Sequence, residues 1–180
     1  MTVDRLHFTG VEEADRFLVE DPFALLVGFA LDQRVPVPKA FMGPWVLRER
    51  LGSLDPAAVA AADLEPIFRQ VPAIHRFPAM MAKQVHALAE HVVSEYDGDA
   101  ARVWTTASTS DELRANIAAL PGFGPMKVKA LGSVLFKRFG VALAEPLVPW
   151  HPTLGDVDSA EALAEYQAAK RLNKAAWEAR

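Results

Sequence analysis

The 180-residue chain contains no cysteine. That excludes disulfides, thiolate zinc sites, cysteine nucleophiles and a cysteine-ligated iron–sulfur cluster, and it agrees with a reducing cytoplasm. Long hydrophobic runs are missing too. The longest, Phe23 to Leu31, has nine residues, too few to cross a bilayer, so no membrane partner is expected. No basic-then-apolar segment opens the chain, so no signal peptide is expected either. Strand signals are scarce: there is no long period-two alternation, and Val, Ile and Thr rarely cluster. No internal repeat or low-complexity tract is visible. Neither sign of charge dominates. Nineteen Lys and Arg stand against 23 Asp and Glu, for a net charge of −4. Such a mixture suits a folded chain rather than a disordered one. It argues against a basic coat everywhere, while leaving room for a local basic patch.

What remains reads as helices. The 51% hydrophobic content can fill one core, so a single domain over residues 1–180, most simply a monomer, is expected. Asp21-Pro22 and Asp55-Pro56 each place a capping residue before a proline suited to a first helical turn. Thr109 with Glu112 forms a capping box. Met81, Val85, Leu88, Val92 and Tyr96 recur at spacings of three or four, one face of an amphipathic helix that Asp97-Gly98 ends. Together these signals predict helices over roughly 11–20, 22–33, 38–51, 56–61, 64–70, 79–96, 99–105, 110–119, 125–139 and 159–178. An irregular crossing segment runs from about 141 to 157 and includes the Pro146–Pro152 stretch, where Leu147 and Trp150 are expected to be buried. The final helix, rich in Ala, Lys and Glu, is expected at the surface.

The strongest signal is a helix, a tight turn and a second helix over about 113–139. Leu120-Pro121-Gly122-Phe123-Gly124-Pro125 joins an apolar helix end to a new helix start. Gly122 can take positive φ, and Gly124 lets a large ligand approach the backbone. Free N–H groups at the start of the second helix make an anion site suited to a nucleic-acid phosphate. Lys127, Lys129, Lys137 and Arg138 follow, within an acid-free interval between Glu112 and Glu145. The plain alternative is an ordinary helical hairpin with glycine at a helix C-terminus. The basic second helix favours DNA, gripped by phosphate contacts that position a duplex without reading it.

This segment resembles the helix-hairpin-helix of the HhH-GPD superfamily of base-excision DNA glycosylases. Leu25 to Phe41, with its Asp32-Gln33-Arg34-Val35 turn, is similar to the family's early buried helix and the turn that reaches into DNA, in the manner of the 3-methyladenine glycosylase II branch. Arg76 to Val85 is similar to the family's later Lys-Ala-type helix. The resemblance covers about residues 20–158. It implies an all-α, two-lobed fold with a central cleft, acting on double-stranded DNA that carries a damaged or mismatched base. Such an enzyme flips the base out and cuts its N-glycosidic bond, with an inserted side chain filling the gap. Gln33 or Arg34 is the expected wedge. Gly122, Phe123, Gly124, Met126, Lys127 and Lys129 complete the expected DNA contacts. No organic cofactor or side-chain metal site is expected. The resemblance does imply a possible monovalent cation on the hairpin backbone over 120–125.

The family's catalytic residues carry over only in part. Where bifunctional members have a Schiff-base lysine this chain has Met126, and Lys127 lies one step further, about 100° around the helix. The resemblance therefore points to a monofunctional glycosylase without lyase activity. The family's catalytic Asp position falls on Ala144. Glu145 is its neighbour, and Asp156 and Asp158 come next. Asp156 is the leading candidate because it precedes the last helix. Asp158, with Glu161 three residues on, also reads as a helix cap. Trp45, His75, Trp150 and His151 are candidates for a base pocket. His86 and His91 are five apart and share no helical face, so the histidines do not make a metal set. Two further readings stay open: a damaged-DNA-binding protein of the same fold without catalysis, and a helical protein adaptor. The expected setting is cytoplasmic and nucleoid-associated.

Overall fold

The computed structural model describes residues 3–179, and every regular element among them is helical. The order is α1 Glu12–Glu20, α2 Pro22–Leu31, α3 Val37–Leu51, α4 Pro56–Ala61, α5 Leu64–Arg69, α6 Pro78–Tyr96, α7 Arg102–Thr105, α8 Ser110–Ala118, α9 Pro125–Lys137 and α10 Ala160–Glu178. Two short 3-10 turns, Ala142–Leu147 and Leu154–Asp156, lie between α9 and α10. Among the described residues no helix is long and apolar enough to cross a membrane.

The core is built around α2. Its N-terminus forms because Asp21 Oδ1 accepts from the Phe23 and Ala24 amides at 2.9 and 3.4 Å, with Pro22 in the first turn. Every residue from Phe23 to Leu31 is buried, as a helix apolar on all sides requires. Helix α3 packs on it closely because Gly28 has no side chain; a Cβ there would collide with the Phe41 ring. Phe41 in turn meets Phe8 and Phe29 edge-on at 4.9 and 5.1 Å. Each such ring removed from water contributes about 1.5–3 kcal/mol, so this is the part of the fold least tolerant of change. Helices α4 and α5 pack on α6. There Met81, Val85, Leu88 and Val92 are buried and Tyr96 is half-buried, the face that the spacing predicts.

Helix α9 carries the second half of the core, and the crossing segment wraps it. A Cβ at Gly155 would lie 2.7 Å from the Ser133 backbone, so only glycine allows the second 3-10 turn to seat there. Arg138 Nε donates to the Gly155 carbonyl at 2.8 Å and fixes the contact.

Three local expectations are corrected. Leu147 is buried, but Trp150 is 59% exposed. The inward places of the segment go to Ala144, Leu147, Leu154 and Val157, and the Trp150 ring sits edge-on to His151 at 5.5 Å. Asp55 stands at the N-cap of α4, yet its side chain caps nothing. The cap of α10 is Ser159, whose Oγ accepts from the Ala162 amide at 3.0 Å, and not Asp158 one residue earlier.

Candidate functional site

The turn from α2 to α3 is held in an unusual shape. Arg34 has φ +59°, a left-handed conformation that a non-glycine residue keeps only where its surroundings enforce it. The enforcing group is His75. Its imidazole is buried, with Nε2 3.0 Å from the Leu31 carbonyl and 3.1 Å from the Gln33 carbonyl, while Nδ1 accepts from the Phe77 amide at 3.0 Å. Carbonyls only accept, so Nε2 carries the hydrogen and Nδ1 is bare. Burial lowers the His75 pKa and outweighs the two carbonyl contacts, which favour the charged form. His75 therefore acts as a neutral clamp that sets the position of Gln33 and Arg34.

The hairpin is clamped in a similar way. Gly122 has φ +78° and lies against the Gln84 amide, whose Nε2 donates to the Pro121 carbonyl at 2.7 Å. Any side chain at 122 would collide with that amide. Phe123 is only 5% exposed, so its ring anchors the turn from within. Gly124 differs from Gly122. Its φ is −82°, and a Cβ there would meet open space. Among the described residues, nothing requires glycine at 124. Its bareness leaves the N-terminus of α9, which has no side-chain cap, open to an approaching anion. In the hairpin, the carbonyls of Leu120, Pro121 and Gly124 accept from Phe123, Gln84 and Val128. Each keeps a second lone pair, and such oxygen donors suit a hard cation.

Lys127 joins the two structures. Its Nζ reaches across to the Ala30 carbonyl at the end of α2, 3.0 Å away, and sits 5.6 Å from the Phe123 ring centre. A groove of about 760 Å³ opens beside it. Gln33 and Arg34 line one side, Met126 and Lys127 another, and Lys170, Arg171 and Lys174 of α10 a third. In a net-acidic chain this wall is conspicuously cationic. A smaller, partly open cavity of about 80 Å³ shares Asp32, Met126 and Lys127 with the groove and runs on to Lys129, His151, Tyr166 and Trp177.

Asp32 is the group that sequence reasoning passed over. It lines both spaces. Among the described residues, no hydrogen bond or ion pair engages its carboxylate. Burial raises its pKa, and the charges of Lys170, Lys127 and Lys174 offset only part of that rise. Burial likewise lowers the Lys127 pKa, with Asp32 opposing. A perturbed, unpaired carboxylate in a cleft marks a candidate working group. The sequence did contain a signal. Asp32 follows directly on the end of α2, where the helix dipole disfavours an anion.

The other carboxylate candidates lie elsewhere. Asp156 is ion-paired with Lys137, and its Oδ2 accepts from the Thr153 amide at 2.9 Å. With the Thr153 hydroxyl accepting from the Gly155 amide at 3.1 Å, this closes a capping box around the second 3-10 turn. Burial works to raise the Asp156 pKa, but the Lys137 and Thr153 hydrogen bonds and the nearby charges of Lys137 and Arg138 outweigh it, leaving the pKa below the ordinary value. Asp156 lines neither the groove nor the cavity. Asp158 borders a separate recess with Lys137 and Arg138, and Glu145 is exposed in the first 3-10 turn. Of the base-pocket candidates, His151 alone lines the smaller cavity. Trp45 packs on Phe17 at 5.8 Å beneath Arg48, His75 clamps the turn, and Trp150 borders a different recess with Arg114 and Lys129. Among the described residues no cluster of His, Cys, Asp or Glu is arranged to hold a metal ion. Comparison of the chain with protein-family models, with curated proteins and with solved structures gives no match.

Proposed function

We propose that the chain is a monofunctional DNA glycosylase of HhH-GPD type, working in the cytoplasm on duplex DNA with a damaged or mismatched base. In this reading the groove is the cleft between two lobes. One observation carries the proposal: the Gln33–Arg34 turn and the start of α9, the two segments with DNA-contact chemistry, open onto one cationic groove and are tied together by Lys127. The uncapped start of α9 and the groove lysines hold the phosphates. Gln33 or Arg34, held out by His75, fills the gap left by the flipped base, whose extrusion costs a few kcal/mol.

The chemistry is hydrolysis. The bond between the base nitrogen and sugar C1′ breaks, the base leaves with the electron pair, and water adds at C1′. The sugar passes through a cation-like state that a fixed carboxylate stabilises. Asp32 takes that role here in place of Asp156, because Asp32 faces the groove unpaired while Asp156 is committed to Lys137 and a cap. Met126 stands where a Schiff-base lysine would be needed for strand cleavage, so the product is an abasic site in an intact strand. A monovalent cation on the hairpin carbonyls would steady the turn that meets the phosphates.

The test is single-turnover excision by the wild-type chain on labelled duplexes carrying uracil, hypoxanthine, 3-methyladenine or 8-oxoguanine, with duplex binding followed against salt. The expected result is strand breakage only after alkali, together with a steep loss of affinity as salt rises. Steep binding without excision would assign a damaged-DNA-binding protein. Salt-insensitive or absent binding would leave the groove without nucleic acid.

A further inference from the structure

Tyr166, Lys170, Lys174 and Trp177 follow one another at spacings of four, four and three, one face of α10. All four line the smaller cavity. Little else holds the end of that helix. Leu163 and Trp177 are its buried residues, and residues 171–176 between them are all exposed. A helix end fixed by so few buried contacts opens at low cost. Trp177 itself is 6% exposed, and its indole lies flat on the His151 imidazole, with ring centres 4.9 Å and planes 4° apart. Tyr166 faces the same indole at 6.3 Å and 24°.

A parallel stack on an aromatic ring is also how proteins hold a nucleobase that has left its own stack. An indole, a six-membered ring fused to a five-membered one, is the side chain nearest in outline to a purine. The imidazole beneath it has its own supports. Nδ1 lies 2.9 Å from the Pro152 carbonyl and donates to it, since a carbonyl only accepts, and the Trp150 ring stands edge-on at 5.5 Å. The cavity beside the pair has about 80 Å³ of room, too little for a second bicyclic ring while Trp177 is in place. It shares Asp32, Met126, Lys127, Lys170 and Lys174 with the groove. A base turned out of a duplex in the groove therefore meets a seat already taken.

We infer that Trp177 is a removable plug: α10 closes the seat of the flipped base with its own indole, and the base enters by displacing Trp177 and stacking on His151 in its place. This rests on the glycosylase reading above. Lys170 and Lys174 supply the trigger. They lie on the same face of α10 as the plug and also line the groove, so phosphates held there act on the helix whose tip must move. A ligand shifts a closed form only by binding the open one better. A base still paired in its duplex offers no ring to the seat, and an abasic site has none to offer. Only an extruded base replaces the stack that the indole gives up. The plug therefore weakens binding of a base-bearing lesion by the fraction of time the seat stands open, and leaves the phosphate contacts alone.

Two measurements test this, and the first needs no DNA. Free hypoxanthine and free 3-methyladenine are titrated onto the wild type and Trp177→Ala, with the His151 imidazole protons followed by NMR. Trp177→Leu repeats the titration with an apolar anchor kept, should alanine unseat α10. Both variants are expected to bind a base about tenfold more tightly than the wild type, with the His151 signals shifting as it binds. Folded variants that bind no better than the wild type, or that bind without moving those signals, overturn the inference. Where the wild type excises either base, the second measurement compares a duplex carrying that base with an abasic duplex. Trp177→Leu is expected to tighten the first about tenfold and the second by less than about twofold. Equal changes in the two, or none, overturn the plug. If the opened seat takes a free base and the wild type excises nothing, the glycosylase reading fails while the plugged seat stands. If the wild type excises and the variants' seat takes no base, the plug alone fails.

Discussion

Two aspartates in this protein each have a lysine nearby, and their fates are opposite. Asp156 sits between the 3-10 turns and α10. It is paired with Lys137 and bonded to the Thr153 amide, and its pKa lies below the ordinary range. Everything its carboxylate does serves the local fold. Asp32, with Lys127 close by, does not close into an ion pair, accepts no hydrogen bond from the described residues, and has its pKa raised by burial. A carboxylate satisfied by its own chain has little left for a substrate. One left without a partner from its own chain beside a groove keeps its oxygens free for what enters there. Charge and sequence position make the two look alike; their partners separate them.

Several experiments would break or sharpen that contrast. The largest effect is expected from the cations around Asp32. Replacing Lys127, Lys170 and Lys174 together by Ala should weaken duplex binding by roughly 10²-fold at moderate salt and reduce the salt slope by about 2–3, since each phosphate contact contributes nearly one. Lys137→Ala, on the Asp156 side, should change neither by more than about twofold. Binding isotherms over a salt series decide it, and equal effects on the two sides would erase the distinction.

The two hairpin glycines should also part company. Gly122→Ala meets a left-handed φ and the Gln84 amide, and should cost about 1–3 kcal/mol of stability, read as a lower Tm. Gly124→Ala meets open space in an extended conformation. It should leave Tm within about a degree and yet weaken duplex binding about tenfold, because the new methyl stands where a phosphate would approach. A Gly124→Ala protein that binds like wild type would remove the start of α9 from the site.

A smaller effect tests the aspartates by their stability alone. Asp156 has a lowered folded pKa, so its contribution is present above the ordinary Asp pKa and is lost as pH falls through the lowered value. Asp156→Ala should therefore lower Tm at neutral pH, by about 1 kcal/mol for the lost cap, or roughly 2–4 °C in a chain of this size. The deficit should fade in acid. Asp32 has a raised folded pKa, so its presence costs stability as pH rises through the range between the ordinary and the raised value, and that cost persists above it. Asp32→Asn should raise Tm at neutral pH, and the gain should vanish in acid. Lys127, Lys170 and Lys174 are the charges that face it, so the gain should grow when they are neutralised. Thermal melts across pH read both signs, and like-signed changes would contradict the contrast.

The sequence made much of this legible. The all-helical class, the start of α2, the end of α6 and the hairpin over 120–125 follow from local chemistry that reaches only a few residues: the Asp21 cap, the Asp97-Gly98 stop, the Pro-Gly-Phe-Gly turn. The same short reach explains the misses. Ser159 rather than Asp158 caps α10, because a one-residue difference in extended backbone decides which side chain meets the Ala162 amide. Trp150 faces outward because Leu147 and Leu154 fill the inward places, a choice made by α9 and not by the segment itself. The clamps also cross long stretches of chain. His75 on the Leu31 and Gln33 carbonyls and Gln84 on the Pro121 carbonyl are pairings that spacing cannot show. Asp32 could have been singled out from its place at the end of an apolar helix, but its position in the groove became visible only once α9 and α10 were set around it.

The most direct test of the account sets the two aspartates against each other. Single-turnover excision would be measured for wild type, Asp32→Asn and Asp156→Asn on the best substrate of the lesion panel, with abasic-duplex affinity measured in parallel. The account predicts that Asp32→Asn loses about 10²–10³-fold in rate with affinity kept within about twofold, and that Asp156→Asn excises at close to the wild-type rate. An active Asp32→Asn protein beside an inactive, folded Asp156→Asn protein would contradict it and return the chemistry to the far side of α9.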